Sequence, residues 1–449
     1  MIDARMLAHQ VLLHMERKAS HPDRLIRAVL DRHGRLDERD RALLTELVYG
    51  VLRWQGRLDW HIDRLSRVKP SKIIPAIRVL LRLGLYQILL LDRIPVHAAV
   101  NESVKIAKST QPPHLASFVN AILREASRRG EAWDWPSETE TPAEFLAVVS
   151  SYPLWFVRKW IDEMGFEEAR SFCSSCNEVA PLVLRCNRLK AEPVAVAGWL
   201  RDNGIHAVPS PYLEDALQVS GLGRDVSGLN IFGKGWIQVQ DEASQIISHL
   251  VGPEAGERVL DLCAGFGGKA THMGALMGNE GEILAVDRSA WKLEELKENA
   301  ERQGIGIIET MAADAVEISP DGIGQFDRVL VDAPCSGFGA IRRKPDIKWA
   351  RHPKDPHRFA RTQKGLLSHA AHFVKPGGVL VYATCTVFRE ENEEVAEGFA
   401  AAHPAWRLER AGNLLPETWA DMAAGPFFRS LPHRHGIDGF FGARWRNGD

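Results

Sequence analysis

Two cysteines have flanks that suit a working thiol. Cys335 lies in Asp-Ala-Pro-Cys-Ser-Gly and Cys385 in Tyr-Ala-Thr-Cys-Thr, each at the carboxyl end of a β-branched run. A lone cysteine is usually a small buried hydrophobe. Two on one rim of one sheet, each beside small residues, favour a reactive pair. The thiolate is the reactive form, so its proton must be lost to a lowered pKa or to a neighbour. Pyrimidine methylation at C5 calls for such chemistry. C5 is too weak a nucleophile to take a methyl group until a thiolate adds to C6, and a second group must then remove the C5 proton. Cys173 and Cys176 have Cys-x-x-Cys spacing, but no second pair follows. They read as core or surface thiols of a helix rather than zinc ligands.

The run Arg258–Cys263 leads into Ala264-Gly265-Phe266-Gly267-Gly268-Lys269-Ala270, a loop whose glycines let backbone approach a ligand at a helix start. A phosphate-gripping P-loop needs a glycine where Cys263 stands, and fails. Gly265-x-Gly267-x-x-Ala270 fits a dinucleotide fingerprint, and a similar acidic-then-glycine loop holds S-adenosylmethionine in methyltransferases. Asp261, Asp287, Asp314 and Asp332 close four successive strand candidates. Asp287, 20 residues after Gly267, stands where a carboxylate can accept from ribose hydroxyls. Any one of these is more often a helix cap. Four together point to one shared crevice.

The elements that must position these residues are short strands at 258–263, 282–287, 307–314, 327–334 and 377–385. Helical segments separate them, notably Ser289–Gln303 and His357–Phe373. That alternation predicts a Rossmann-like doubly wound parallel sheet over 236–449, with its ligand at the carboxyl ends of the strands. Trp406–Leu408 and Gly439–Trp445 read as late strands. Residues 143–235 read as a small α/β domain of the sheet type used to contact RNA, with a strand in Pro-Leu-Val-Leu-Arg-Cys-Asn. Residues 1–135 read as all-helical. Leu43, Leu44, Leu47, Val48, Val51 and Leu52 recur at helical spacing, and prolines punctuate the runs. Gly130–Thr141, acidic and aperiodic, reads as a linker.

The 449 residues, 45% hydrophobic and 25% charged, exclude disordered, collagen-like and disulfide-stapled proteins. No apolar run is long enough to span a bilayer, and the first residues lack a signal-peptide pattern. A soluble, cytoplasmic protein is expected. The net charge of −2 conceals an asymmetry. Residues 1–130 hold 23 basic and 13 acidic side chains, a net of +10, and the remainder has a net of −12. A basic module suggests a polyanion partner, although a solvated arginine-rich surface explains the same charge.

Asp332-Ala333-Pro334-Cys335-Ser336-Gly337, Thr384-Cys385-Thr386 and the glycine loop together resemble the RNA 5-methylcytosine methyltransferases. LDERDRALLTELVYGVLRWQGRLDWHID and VHAAVNESVKIAK resemble the helical RNA-binding domain of the antitermination factor NusB. GWIQVQDEASQ, RRKPDIKW and DGFFGARW are similar to further segments of the bacterial small-subunit rRNA branch of that family, the Sun/Fmu type. The family loop usually reads Cys-Ala-Ala-Pro-Gly-Gly-Lys; this chain departs from it at Gly265 and Phe266.

The resemblance implies an rRNA (cytosine-C5) methyltransferase acting on 16S rRNA through a covalent adduct. Residues Cys263, Ala264, Gly265, Phe266, Gly267, Gly268 and Lys269 would cradle S-adenosylmethionine, with Asp287 on its ribose and Asp314 on the adenine side. Asp332 would contact the target base, Cys385 would be the nucleophile, and Cys335 would assist proton removal. The basic residues of RRKPDIKW would hold the RNA backbone. A monomer without metal or nicotinamide is expected. Three rivals stand beside this reading: a non-catalytic RNA-binding assembly factor, the same chemistry on tRNA, and a dinucleotide-dependent oxidoreductase.

Overall fold

The structure is a computed structural model that describes residues 3–18, 20–33, 36–130, 132–222, 225–423 and 425–448. Helices of eight residues or more are numbered here. The chain forms two compact units, Met1–Asn177 with Lys344–Arg351, and Glu178–Arg343 with His352–Asp449.

The first unit is helical: α1 (Ala4–Arg17), α2 (Pro22–Arg32), α3 (Glu38–Leu65), α4 (Pro75–Leu89), α5 (Val96–Thr110), α6 (Pro113–Arg129), α7 (Pro142–Val149), α8 (Leu154–Met164) and α9 (Phe166–Ser175). Sequence punctuation sets the starts. Asp3 and Asp37 accept backbone N–H groups in the first turns of α1 and α3. Proline opens α2, α4, α6 and α7, where its missing N–H is no loss. The core gathers Leu44, Leu47, Val48 and Val51 of α3, Leu80 and Leu83 of α4, and Val119 and Leu123 of α6. Gly50 makes one close crossing possible, since a Cβ there would lie 2.0 Å from Tyr86 Cζ. Trp135 stacks on Trp60 at 4.7 Å, and Trp133 packs edge-on against His61. The acidic segment after α6 is therefore anchored to α3.

The second unit carries two sheets. β1 (Leu182–Cys186), β2 (His206–Pro209), β3 (Ala216–Ser220) and β4 (Ile237–Val239) form an antiparallel sheet in the order β2-β3-β1-β4, with α10 (Pro193–Asp202) between β1 and β2. α11 (Glu242–Val251) leads into the larger sheet. That sheet comprises β5 (Arg258–Asp261), β6 (Glu282–Asp287), β7 (Ile308–Ala312), β8 (Phe326–Asp332), β9 (Val374–Thr384), β10 (Arg407–Glu409), β11 (Phe428–Arg429) and β12 (Phe441–Arg446). Its helices are α12 (Gly268–Leu276), α13 (Ala290–Gln303), α14 (Asp355–Ala370) and α15 (Glu393–Ala402).

The strand order is β10-β12-β9-β8-β5-β6-β7, with β11 beside β12. β5 to β9 run parallel, and the chain reverses direction across the sheet at β5, the position where doubly wound folds bind ligands. β12 enters antiparallel between β9 and β10, so the sheet is mixed rather than wholly parallel.

Period-two alternation explains the burial on both faces. Val259, Leu330 and Val381 face α11 and α12, while Leu260, Val329, Val331 and Tyr382 face α14 and α15. Among the described residues no helix is long and apolar enough to cross a membrane.

Candidate active site

The loop after β5 is shaped by backbone conformation. Gly265 and Gly267 have φ of +56° and +76°, in the left-handed region. At Gly267 space forbids a side chain as well, because a Cβ would fall 2.2 Å from Leu296 Cγ. Gly268 then opens α12. Asp287, the last residue of β6, accepts from Gly265 N at 3.0 Å and Ser289 N at 2.8 Å, tying the loop to the second strand. Phe266, 48% exposed, meets Trp291 edge-on at 5.3 Å. The departure from the family loop is thus filled by an aromatic contact.

Asp261 is buried at the end of β5 and its Oδ1 has no partner. Burial and the nearby Asp332 push it up to about 7. Burial likewise raises the Cys263 thiol, which makes it a loop constituent rather than a nucleophile. Asp314 lies two residues beyond the end of β7, which stops at Ala312. Its carboxylate pairs with Arg288 at 2.5 Å, and that bond holds it below the usual carboxylate range.

The two thiols meet. Asp332 and Thr384 end the adjacent strands β8 and β9, and the following loops bring Cys335 Sγ and Cys385 Sγ to 3.3 Å. Lys269 Nζ, buried, donates to Asp332 Oδ2 at 2.6 Å and stands 5.1 Å from the Phe440 ring. Burial opposes the lysine charge, but Asp332, with Cys385 contributing, holds its pKa above the usual value. The Cys335 thiol is pushed well up, first by its bond to Cys385 and then by burial. The two thiols share one sulfur-to-sulfur hydrogen bond, in which either can be the donor.

Residues outside every motif fix this arrangement. Glu391 Oε2 accepts from Ser336 N at 2.8 Å and from Gln363 Nε2 at 3.0 Å, and Gln363 Nε2 also donates to Pro334 O. Thr384 Oγ1 donates to Asn392 Oδ1 at 2.5 Å, and Asn392 Nδ2 donates to Thr386 O at 3.0 Å. Beside the glycine loop Arg185 of β1, fully buried, donates to Gly268 O at 2.8 Å, Thr271 Oγ1 at 3.1 Å, Gln303 Oε1 at 2.8 Å and Gln240 Oε1. An arginine inside an otherwise apolar strand candidate was a legible signal for that last group. Nothing in the spacing marked Gln363, Glu391 or Asn392.

The expected RNA-holding role of RRKPDIKW is overturned for most of its cations. Arg342 donates to Gly436 O, and Arg343 is held by Asp241 at 2.7 Å and Asp438 at 3.0 Å. Lys348 is 0% exposed, where its ammonium donates to Arg53 O, Ser151 O and Asn177 Oδ1. Each has its charge or its hydrogen bonds turned inward. Lys344 alone among them is exposed.

The crevice suits a cationic, ribose-bearing cofactor. It offers glycine backbone at close approach, a carboxylate at the end of β6, and the unpartnered Asp261 Oδ1. Family models match residues 248–446 (16S rRNA methyltransferase RsmB/F), 2–128 (NusB family) and 152–224 (the ferredoxin-like domain of RsmF/B-like methyltransferases). A probable ribosomal RNA small subunit methyltransferase B of Bacillus subtilis is 38% identical over 440 residues, covering 97% of each chain. One from Synechocystis is 35% identical over 98% of each. The crystal structure of PH0851 superposes with a TM-score of 0.83 at 28% identity, covering 99% of both chains. The chain belongs to the RsmB/F family of rRNA small subunit methyltransferases, with S-adenosylmethionine as cofactor and a NusB-type domain at its amino end.

Proposed function

We propose that this protein methylates C5 of one cytidine in small-subunit rRNA through a covalent adduct with Cys385. The observation that carries the reading is the 3.3 Å contact between the Cys335 and Cys385 sulfurs at the ends of neighbouring strands. A binding factor needs neither thiol, and a nicotinamide enzyme has no use for the pair.

Residues 263–269, Asp261 and Asp287 would hold S-adenosylmethionine, with Asp314 toward the adenine side. When bound, the cofactor supplies an electrophilic methyl group. The chain's own residues do the rest. Cys385, in the Thr-Cys segment that resembles the family's nucleophile motif, gives its proton to solvent and adds as a thiolate to C6, which makes C5 nucleophilic. Asp332, fixed by Lys269, is the base contact. With the methyl group on C5, Cys335, its own proton passed to water, takes the C5 proton as a thiolate, and Cys385 leaves as a thiolate while the C5–C6 double bond re-forms. The cytidine must be unstacked to reach both sulfurs. Residues 1–135, with their basic excess, serve as the RNA-recruiting module of a cytoplasmic monomer, beside modules at 143–235 and 236–449.

Bisulfite sequencing of rRNA and tRNA from a deletion strain tests the substrate. One cytidine of small-subunit rRNA should lose protection, and a loss confined to tRNA would sink the rRNA reading. Incubation with rRNA and cofactor tests the roles of the thiols. Cys335→Ala should accumulate a protein–RNA complex that survives denaturing gels, and Cys385→Ala should form none. The reverse pattern would exchange the two roles.

A further inference from the structure

We propose that Asp215, His249 and His272 form a site for a divalent transition-metal ion of the zinc class, outside the crevice that holds cofactor and thiols. One ligand atom from each lies within 4.8 Å of the other two. His272 Nε2 and Asp215 Oδ2 are 3.8 Å apart, too far for a hydrogen bond. That gap suits two ligands sharing an ion with bonds of about 2.0–2.2 Å.

The imidazoles supply the second, independent observation. His272 is 1% exposed, yet neither of its ring nitrogens has a hydrogen-bond partner, and His249 Nε2 also lacks one. Leaving a buried polar group unpaired is unfavourable, and both rings carry such a nitrogen here. The donor set is two nitrogens and a carboxylate. Calcium and magnesium prefer oxygen throughout, whereas zinc, nickel and copper accept this set. Asp215 is 13% exposed, which leaves an approach for the ion and for water in the remaining coordination positions.

Placement gives the site its consequence. Asp215 immediately precedes β3, and its carbonyl accepts from Cys186 N of β1 at 2.6 Å. His249 lies on α11 and His272 on α12, with their rings 5.2 Å apart and nearly perpendicular. An ion would clip the small antiparallel sheet to the helix that begins at the cofactor loop. The histidines stand 23 residues apart with no ligand-like spacing, so the sequence carried no sign of it.

The test uses the full chain without an affinity tag that binds metal, stripped with a chelator and dialysed. Zinc titration against a chromophoric chelator, metal analysis and cobalt substitution should show one bound ion. Its cobalt spectrum should lack thiolate charge-transfer bands. The melting temperature should rise with free zinc as mass action requires. His249→Ala and Asp215→Asn, at the less buried positions, should weaken zinc binding by at least about 100-fold, beyond the 10–100-fold that outer-shell changes produce. His272→Ala should do the same, and circular dichroism checks that each variant is folded. Three results overturn the proposal: folded wild-type protein that takes up no zinc at about 100 μM, uptake unchanged in the folded His249 and Asp215 variants, or uptake abolished in a Cys335→Ala/Cys385→Ala double variant.

Discussion

The cofactor side and the thiol side of the crevice lie on the same sheet rim but are built by different means. Around residues 263–269 the shape comes from backbone, with two glycines at positive φ and a carboxylate bonded to loop N–H groups. Around Cys335 and Cys385 it comes from buried side chains, with Glu391, Gln363 and Asn392 accepting from and donating to the loops that carry the thiols. A loop shaped by φ values declares itself in its residue types. A loop shaped by distant side chains does not. The difference also separates the consequences of mutation: the first side should fail in binding, the second in chemistry and stability.

The largest expected effect is on the thiol side. Cys385→Ala should lower methyl transfer by roughly 10⁴-fold or more, while cofactor affinity measured by calorimetry stays within a factor of about two. A parallel loss of cofactor affinity would break the division. Glu391→Ala should follow. It strips the acceptor from Ser336 N and Gln363 Nε2 in the interior, which amounts to about 2–4 kcal/mol of stability in denaturant melts. Glu391→Gln retains an acceptor and should recover part of it, and equal losses in the two variants would show that the bonds do not matter.

On the cofactor side, Gly267→Ala meets both a positive φ and the Leu296 side chain. It should weaken cofactor binding about 30-fold, since overpacking and backbone strain together come to about 2 kcal/mol or more.

The pH dependence comes next. The Asp261 carboxyl has its pKa raised from 3.8 to about 7 in the folded chain. Between those values the folded state binds the extra proton, so stability of the cofactor-free protein should fall as the pH rises from 3.8 to 7. Binding of a cationic cofactor requires the ionised form and should tighten about tenfold from pH 6 to pH 8. Asp261→Asn should abolish both slopes, and a slope that persists in that variant assigns it to another group. Gly265→Ala is the mildest of the set. No atom lies within 4 Å of a Cβ there, so only the left-handed conformation is penalised. About 1 kcal/mol, or at most fivefold in cofactor affinity, is expected by titration. If Gly265→Ala proves worse than Gly267→Ala, strain rather than space governs the loop.

The parallel strands, the glycine loop and the two thiols were legible because periodicity and residue type encode them directly. Asp261, Asp287 and Asp332 end their strands as read, whereas Asp314 falls beyond its strand and is tied up by Arg288. RRKPDIKW misled because a basic run looks the same whether its cations face solvent or, like Lys348 and Arg343, are consumed by carbonyls and carboxylates. The sequence cannot say which long side chain turns inward, since that depends on acceptors 94 to 295 residues away.

The membership of Lys344–Arg351 in the helical unit has a consequence for synthesis on the ribosome. Trp349 Nε1 donates to Leu52 O, and Trp349 lines a cavity of about 590 Å³ with Leu12, Val51, Leu52 and Val79. The amino-terminal helices emerge first, but the piece that completes their packing is translated only after the 166 intervening residues. At about 5–20 residues per second the nascent bundle waits roughly 10–30 s with part of its apolar surface uncovered. During that interval it is a natural client for a chaperone, and the order of translation, rather than the order of helices, sets when the bundle is finished.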